Sequence, residues 1–256
     1  MRILLSFDVE EFDFPKERGG DINLEDGVKV SAEGLEKLLA LLKKTGATAT
    51  FFVTGNFAKI RPDLVKQIIA NGHEVAAHGV DHFAPKKEDI AGAKKILEPI
   101  AGTKIIGWRQ PRMQKIDYGL LAKHGYKYDS STNPAFIPGR YNNLKTPRTP
   151  YLIEKTGILE VPTSVATIFR VPLFWLALHL FPLWLYKLLA KISLKETGQL
   201  AIYFHPWEFT DLSRFNTVPW YMRKNCNDKL IERLGKLIKM YKKQGAKFVH
   251  YRDLLD

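Results

Sequence analysis

The chain has 256 residues, a formal net charge of +12, and 45% hydrophobic and 26% charged residues. That length and balance belong to an ordinary globular protein, and one α/β domain of barrel type reaches this size without splitting. The single cysteine, Cys226, excludes an intrachain disulfide framework and fits a reducing compartment, so a cytoplasmic location is expected. The positive surplus reads either as a solvating surface of lysines or as attraction to an acidic partner: nucleic acid, an anionic membrane surface or a phosphorylated substrate.

Short apolar runs alternate with helical patterns from end to end. Arg2 opens a strand-like run at once, Ile3–Phe7, so no leader of basic start, apolar stretch and small cleavage-site residues is expected. Ser31 is placed as the cap of a helix whose Leu35, Leu38, Leu39 and Leu42 share one face, closed by Gly46. The second strand is expected over Ala47–Val53. Pro62 sits where a first helical residue belongs, and Gly72 where a terminating glycine does. Further strands are expected at Glu74–Ala77, Lys104–Trp108 and Tyr126–Tyr128. Ser130–Thr156, rich in proline, asparagine and arginine, reads as one long loop, and loops of that length are often functional. Strands follow at Ile158–Val161 and Leu200–Phe204. Asp228 opens a last helix with Leu230, Leu234, Leu237, Ile238 and Tyr241 inward and Gly245 after it, and Lys247–His250 is the final strand. No tandem repeat, low-complexity tract or linker stands out, so residues 1–256 are read as one domain. Strand and helix in alternation imply an α/β fold of parallel strands joined by right-handed crossovers.

Asp8, Glu10, His78, Arg109, Asp129 and His205 each follow an expected strand, and in a parallel β/α barrel such strand ends converge on one mouth. In Ser6-Phe7-Asp8-Val9-Glu10-Glu11-Phe12 an extended backbone sends Asp8 and Glu10 to one face, a pair suited to one metal ligand and one proton acceptor. Glu11 takes the ligand role if the strand has turned by residue 10. His78 and His82, four apart, can clamp one ion, and with one carboxylate they leave positions open for water and substrate. Arg109 can pair with Asp8 and hold it ionised. His205, between an apolar strand and Pro206, reads as a general acid or as a satisfied core imidazole. Asp129 either orients that imidazole or caps the Ser130–Ser131 turn.

The ordered set Phe7-Asp8-Val9-Glu10-Glu11, Phe51-Phe52-Val53, His78-Gly79-Val80-Asp81-His82, Arg109-Gln110-Pro111 and His205-Pro206-Trp207-Glu208 resembles the polysaccharide deacetylase family, also called carbohydrate esterase family four. The resemblance implies a distorted (β/α) barrel of about seven parallel strands that removes acetyl groups, N-acetyl foremost, from a sugar or glycan precursor. By motif, Asp8 is the implied base, Glu10, His78 and His82 the metal ligands, Arg109 the partner of Asp8 and His205 the acid. The backbone N–H of Arg112 is the implied oxyanion donor. Phe12, Arg112, Trp207 and Glu208 are placed as substrate contacts. One divalent ion is implied, zinc foremost, with cobalt, nickel, iron and manganese as alternatives. The chain departs from the family pattern in three places: a valine splits the usual aspartate pair and the ligand is a glutamate, Arg112 replaces an aromatic, and Asp129-Ser130-Ser131 matches its motif loosely. Arg112 points to an anionic sugar, phosphorylated or lipid-linked. Two other readings stand beside this one: an allantoinase-like or other linear amide hydrolase, and a binding module for glycan or nucleic acid with a dead site. Keeping both His78 and His82 argues against a metal-free version, and no nucleic-acid motif is recognised, so no nucleic-acid partner is expected.

From Ile168 to Ile192 the chain is far more apolar and aromatic than elsewhere, and Val171–Tyr186 carries no formal charge with His179 neutral. Pro172 and Pro182 would break a membrane span. The segment reads either as a helix packed on the barrel or as a monotopic insertion at the inner membrane face. In the second case Trp175, Trp184 and Tyr186 sit at the interface and Arg170, Lys187 and Lys191 near anionic headgroups.

Overall fold

The computed structural model of the chain describes residues 1–167 and 169–256. Its strands are β1 (Arg2–Val9), β2 (Thr50–Val53), β3 (Glu74–Ala77), β4 (Gly107–Trp108), β5 (Tyr128–Asp129), β6 (Phe136–Ile137), β7 (Tyr141–Asn142), β8 (Tyr151–Ile153), β9 (Ile158–Glu160), β10 (Gln199–Phe204) and β11 (Lys247–Phe248). Every expected strand forms, but β2 starts at Thr50 and β4 at Gly107, β5 is shifted to Tyr128–Asp129, and β11 ends at Phe248. Burial explains the overlong expectations: Ala47, Ala49 and Ile105 lie in the core, so the loops approaching the sheet are as apolar as the strands they feed.

Among the described residues the main sheet has nine strands in the order β10-β1-β2-β3-β4-β5-β9-β8, with β11 beside the start of β1. Eight run parallel, where about seven were expected, and β8 folds back antiparallel on β9. Among the described residues the ladder does not close. The chain just after β9 crosses to β10 instead: Ser164 N–H donates to Ala201 O at 2.8 Å, and Ala201 N–H donates to Ser164 Oγ at 2.9 Å. The result is a distorted, half-closed barrel of the expected α/β class.

The helices are α1 (Phe14–Glu17), α2 (Leu24–Thr45), α3 (Gly55–Ile60), α4 (Pro62–Ala70), α5 (Asp89–Ala101), α6 (Tyr118–Lys123), α7 (Trp175–Leu180), α8 (Leu183–Thr197), α9 (Trp220–Arg223) and α10 (Asp228–Lys243). Ser31 does not cap α2. The helix starts a full two turns earlier at Leu24, where Asn23 Oδ1 accepts from Asp26 N–H at 2.8 Å, and Ser31 is buried within it. Its apolar face runs on through Val28 and Ala32, and Gly27 beside them hid that continuation. Gly46 closes it in the left-handed conformation, as expected.

Ser130–Thr156 is not one loop. It holds the β6–β7 hairpin and β8, strands of two or three residues that are too short to show a period of two. The apolar segment, whose Ile168 lies outside the described residues, is split by Pro182 into α7 and α8. Among the described residues no helix is long and apolar enough to cross a membrane.

Candidate active site

β1 carries its last residues to the mouth of the half-barrel, and the alternation of an extended strand turns Asp8 and Glu10 to the same side. Arg109, one residue beyond β4, is fully buried beside them. Its Nη1 donates to Asp8 Oδ1 at 2.5 Å and to Ser6 Oγ at 3.1 Å. Nε donates to Ser130 O at 2.8 Å, and Nη2 to Ser130 Oγ at 2.9 Å and Tyr251 OH at 3.3 Å. The guanidinium lies 3.9 Å from the centroid of the Phe52 ring. Burial works against its charge, but Asp8 and the surrounding phenols outweigh that and raise its pKa further. A buried cation so fully held stays charged and keeps Asp8 in one orientation.

Glu10, His78 and His82 are brought together, with one ligand atom from each within 4.8 Å of the others. Glu10 Oε2 lies 3.3 Å from His78 Nε2 and 3.0 Å from His82 Nε2. The proton positions on the two rings follow from their other partners. His78 Nδ1 is 2.8 Å from the carbonyl of Arg109, which only accepts, and His82 Nδ1 is 2.8 Å from Asp13 Oδ2. Each Nδ1 therefore donates, each Nε2 turns a lone pair inward, and buried Glu10 Oε2 has no hydrogen-bond donor. Three converging lone pairs fit one divalent cation, and each histidine has the outer partner that metal-bound imidazoles commonly show. The alternative occupant of this spot is a proton. Burial opposes it, but Glu10 and Asp13 raise the His82 pKa well above the ordinary histidine value. A protonated His82, with His205 and His78, holds the Glu10 carboxyl well below the usual carboxylate range against its own burial.

Glu11, the fallback ligand, points the other way. It accepts from Thr54 Oγ1 at 2.7 Å, Asn56 Nδ2 at 3.2 Å and the backbone N–H of His82 at 3.0 Å, so it anchors the loop that presents His82.

His205 follows β10 opposite this cluster, its Nε2 4.0 Å from Asp8 Oδ2. Asp129 does not orient it. That carboxylate accepts from Ser131 Oγ at 2.6 Å and Ser131 N–H at 3.2 Å, which is the turn-capping alternative, and it shares a hydrogen bond with Glu160 on the neighbouring strand. Burial pushes both of these carboxyls up, Glu160 further because Asp129 adds to it. The partner of His205 is Glu208, one turn along, whose Oε1 accepts from His205 Nδ1 at 2.8 Å and from its backbone N–H at 2.5 Å. Burial lowers the His205 pKa, but Glu10, Glu208 and Asp8 together raise it above the ordinary value.

Two expected substrate contacts are corrected. Glu208 has no exposed surface and sits behind His205, and Phe12 is 1% exposed and packs against Trp207 and Phe215. Trp207 does line the cleft; its ring stacks on His205 at 4.9 Å and its Nε1 donates to Glu10 Oε1 at 3.0 Å. Arg112 also lines the cleft, but its side chain is spent locally, with Nε donating to His82 O at 3.1 Å and Nη2 2.9 Å from Glu17. Asp13, Glu208 as an orienting group, and His179 behind it were not singled out for these parts. A lone histidine in an uncharged apolar run was the one available signal for His179.

The cleft over this floor holds about 390 Å³ and is walled by Phe14, Tyr141, Phe174, Trp175, Tyr203 and Tyr221. Fold and site together define a half-closed β/α barrel with a buried two-histidine, one-carboxylate donor set at its mouth, next to an arginine-held aspartate. Residues 21–128 match the polysaccharide deacetylase family model, and residues 130–256 match a domain of unknown function (DUF3473). Residues 21–128 thus carry a polysaccharide deacetylase domain. It is 32% identical over 125 residues to the peptidoglycan deacetylase of Helicobacter pylori, a match covering 44% of this chain and 43% of that protein. The chain spans less than half the length of the curated relatives it matches. Among solved structures it is similar to PuuE allantoinase (TM-score 0.67, 16% identity, 98% of this chain and 88% of that one). It is also similar to the polysaccharide deacetylase Bc1974 from Bacillus cereus (TM-score 0.51, 18% identity, 97% and 91%). These likenesses show the fold.

Proposed function

We propose that the chain is a metal-dependent hydrolase that removes an acetyl group, N-acetyl foremost, from a sugar of a polysaccharide or glycan precursor. One observation carries this: the Glu10–His78–His82 donor set opens on the same cleft as Asp8 and His205, a proton acceptor and a proton donor 4.0 Å apart. A divalent ion held by Glu10 Oε2 and the two Nε2 atoms, zinc foremost, would supply Lewis-acid polarisation of the amide carbonyl. Asp8, paired with Arg109, takes the proton of the attacking water. His205 Nε2 delivers a proton to the leaving amine, and Glu208 fixes its tautomer from the far side. The N–H of Arg112 is the proposed oxyanion donor; its turn holds Arg112 and Met113 at φ 56° and 50°, a conformation non-glycine residues keep only where the surroundings enforce it. The aromatic walls suit the faces of sugar rings.

An anionic sugar, phosphorylated or lipid-linked, is supported by Arg18 and Arg140 on the cleft wall more than by Arg112, which is paired with Glu17. The proposed membrane contact is also redrawn. Tyr186 is buried with its hydroxyl on Leu173 O, and Trp175 packs against His205 and Trp207, so neither reaches a bilayer. The outer face of α8 supports the contact, because Trp184, Leu188 and Ile192, at a spacing of four, are 67%, 47% and 37% exposed beside Lys187, Lys191 and Lys195. An apolar stripe edged with lysines suits an anionic lipid surface. A cytoplasmic site at the inner membrane face would present lipid-linked sugars to the cleft.

Incubating zinc-loaded protein with N-acetylchitooligosaccharides, an N-acetylated nucleotide sugar and allantoin tests the activity. Acetate release that a chelator abolishes is the expected result. Allantoin opening without acetate release from any sugar would move the chain to the alternative amide substrate, and binding of sugar with neither product would leave the dead-site reading.

A further inference from the structure

His179 lies on α7, has no exposed surface, and takes no part in the chemistry described above. Its two ring nitrogens are nevertheless committed. Nδ1 is 2.8 Å from the carbonyl of Lys224, which can only accept, so Nδ1 carries a proton. Nε2 lies 2.6 Å from Glu208 Oε2, and with Nδ1 already a donor this contact holds a second proton, shared between the imidazole and the carboxyl. Glu208 is thus gripped from both sides, Oε1 by His205 and Oε2 by His179. Among the described residues His179 is the sole hydrogen-bond partner of Oε2. The grip is itself anchored. Asn225 Nδ2 donates to His179 O at 2.6 Å, and Arg233 of α10 donates to Leu178 O at 3.0 Å and Phe181 O at 2.5 Å. Trp175 stands edge-on to both imidazoles, with centroids 5.8 Å from His179 and 5.5 Å from His205.

A glutamate held at one oxygen can rotate about its terminal bond, and one held at both cannot. We propose that His179 is a positioning residue for His205: it fixes Glu208 so that Oε1 keeps the proton on His205 Nδ1 and leaves Nε2 facing Asp8 and the cleft. This rests on the reading of His205 as the proton donor. His179, His205 and Glu208 all fall within residues 130–256, the segment matched by the domain of unknown function. That segment therefore supplies the proton-donor side of the site, while Asp8, Glu10, His78 and His82 come from the other half of the chain.

Two substitutions separate positioning from packing. His179→Gln keeps an N–H able to reach Oε2; His179→Leu fills similar space without a donor. Nitrogen-15 NMR of the zinc-loaded protein reads the His205 tautomer without any turnover. The parent and His179→Gln should show His205 protonated at Nδ1, and His179→Leu a mixture of tautomers. In acetate release, kcat should fall about 10- to 100-fold in His179→Leu at unchanged KM, with most of it kept in His179→Gln. If His179→Leu does not fold, His179→Asn, which is too short to reach Oε2, is measured in the same two ways. A non-donor variant whose His205 stays wholly in the Nδ1–H tautomer overturns the proposal. A parent that releases no acetate refutes the deacetylase reading and leaves the tautomer comparison to decide this one.

Discussion

Asp8 and Arg109 form an ion pair where water scarcely reaches. Asp8→Asn should keep the divalent ion, since Asp8 is not among its donors, yet lower turnover by about 10² to 10⁴ as the proton acceptor is lost. It also leaves a buried guanidinium without its anion. Breaking a buried pair from one side costs on the order of 3–5 kcal/mol, so the denaturant midpoint should fall as well. Turnover at the parental level in that variant would remove Asp8 from the chemistry. His78→Ala should cost the protein its ion in elemental analysis, whereas Glu11→Gln should weaken binding by about 10- to 100-fold through the loosened His82 loop. An unchanged metal content in His78→Ala would dismiss the donor set. The pH dependence has a definite sign. As the proposed acid His205 must be protonated to act, and its pKa is raised, so the alkaline limb of kcat/KM should lie above pH 6.5, the ordinary histidine value. In His205→Ala that limb should vanish.

The element that most constrains the site is α2, through one glycine. A Cβ placed on Gly34 would stand 1.8 Å from the carbonyl oxygen of Pro206, the residue after His205. The carbonyl carbon, at 2.6 Å, is main chain too, so no rotamer change relieves the clash and the turn carrying His205 must move. Gly34→Ala should destabilise the fold by at least the 1–3 kcal/mol usual for overpacking, and should lower kcat more than an equally destabilising change far from the cleft. Melting temperature and turnover, measured together, check both halves of that statement. The outer face of α8 makes its own prediction. At low salt the parent should co-sediment with vesicles containing anionic lipid, and a Trp184→Ser, Leu188→Ser variant should not. A parent that stays in the supernatant ends the case for the lipid surface.

At the scale of the whole molecule, the two matched segments meet between residues 128 and 130, yet the sheet ignores that boundary. β10 from the second segment pairs along six residues of β1, and β5 at the junction pairs with both β4 and β9. We expect the chain to behave as one domain, with a single cooperative unfolding transition monitored by calorimetry and circular dichroism, and residues 1–129 alone to remain unfolded. Two separated transitions would contradict it. Stability should also respond to His73, whose imidazole burial, and secondarily His250, pull down to about 4. The unfolded chain takes up that proton near pH 6.5 and the folded one only near 4, so stability is full above 6.5 and declines as pH falls between those values. His73→Phe should flatten that part of the profile.

Periodicity and strand-end residues were enough to read the parallel α/β scaffold, α10, the end of α2, and the group of Asp8, Glu10, His78, Arg109 and His205. Each of these depends on local rules: alternation along a strand, a helical face, an ionisable residue where a strand stops. Those rules stop at the span of one element. They could not separate buried loops from strands, because both are apolar, nor detect β6 to β8, which are too short to have a period. Above all they could not say which carboxylate meets which histidine. Asp129 and Glu208 lie 76 and 3 residues from His205, and only the packing of β5 against β9, and of the turn after β10 against α7, gave the imidazole to Glu208 and left Asp129 with Glu160. His179 is the clearest case: a single imidazole in an apolar run carries no local signature, and its part in the site exists only because two distant segments bury one carboxylate between two histidines.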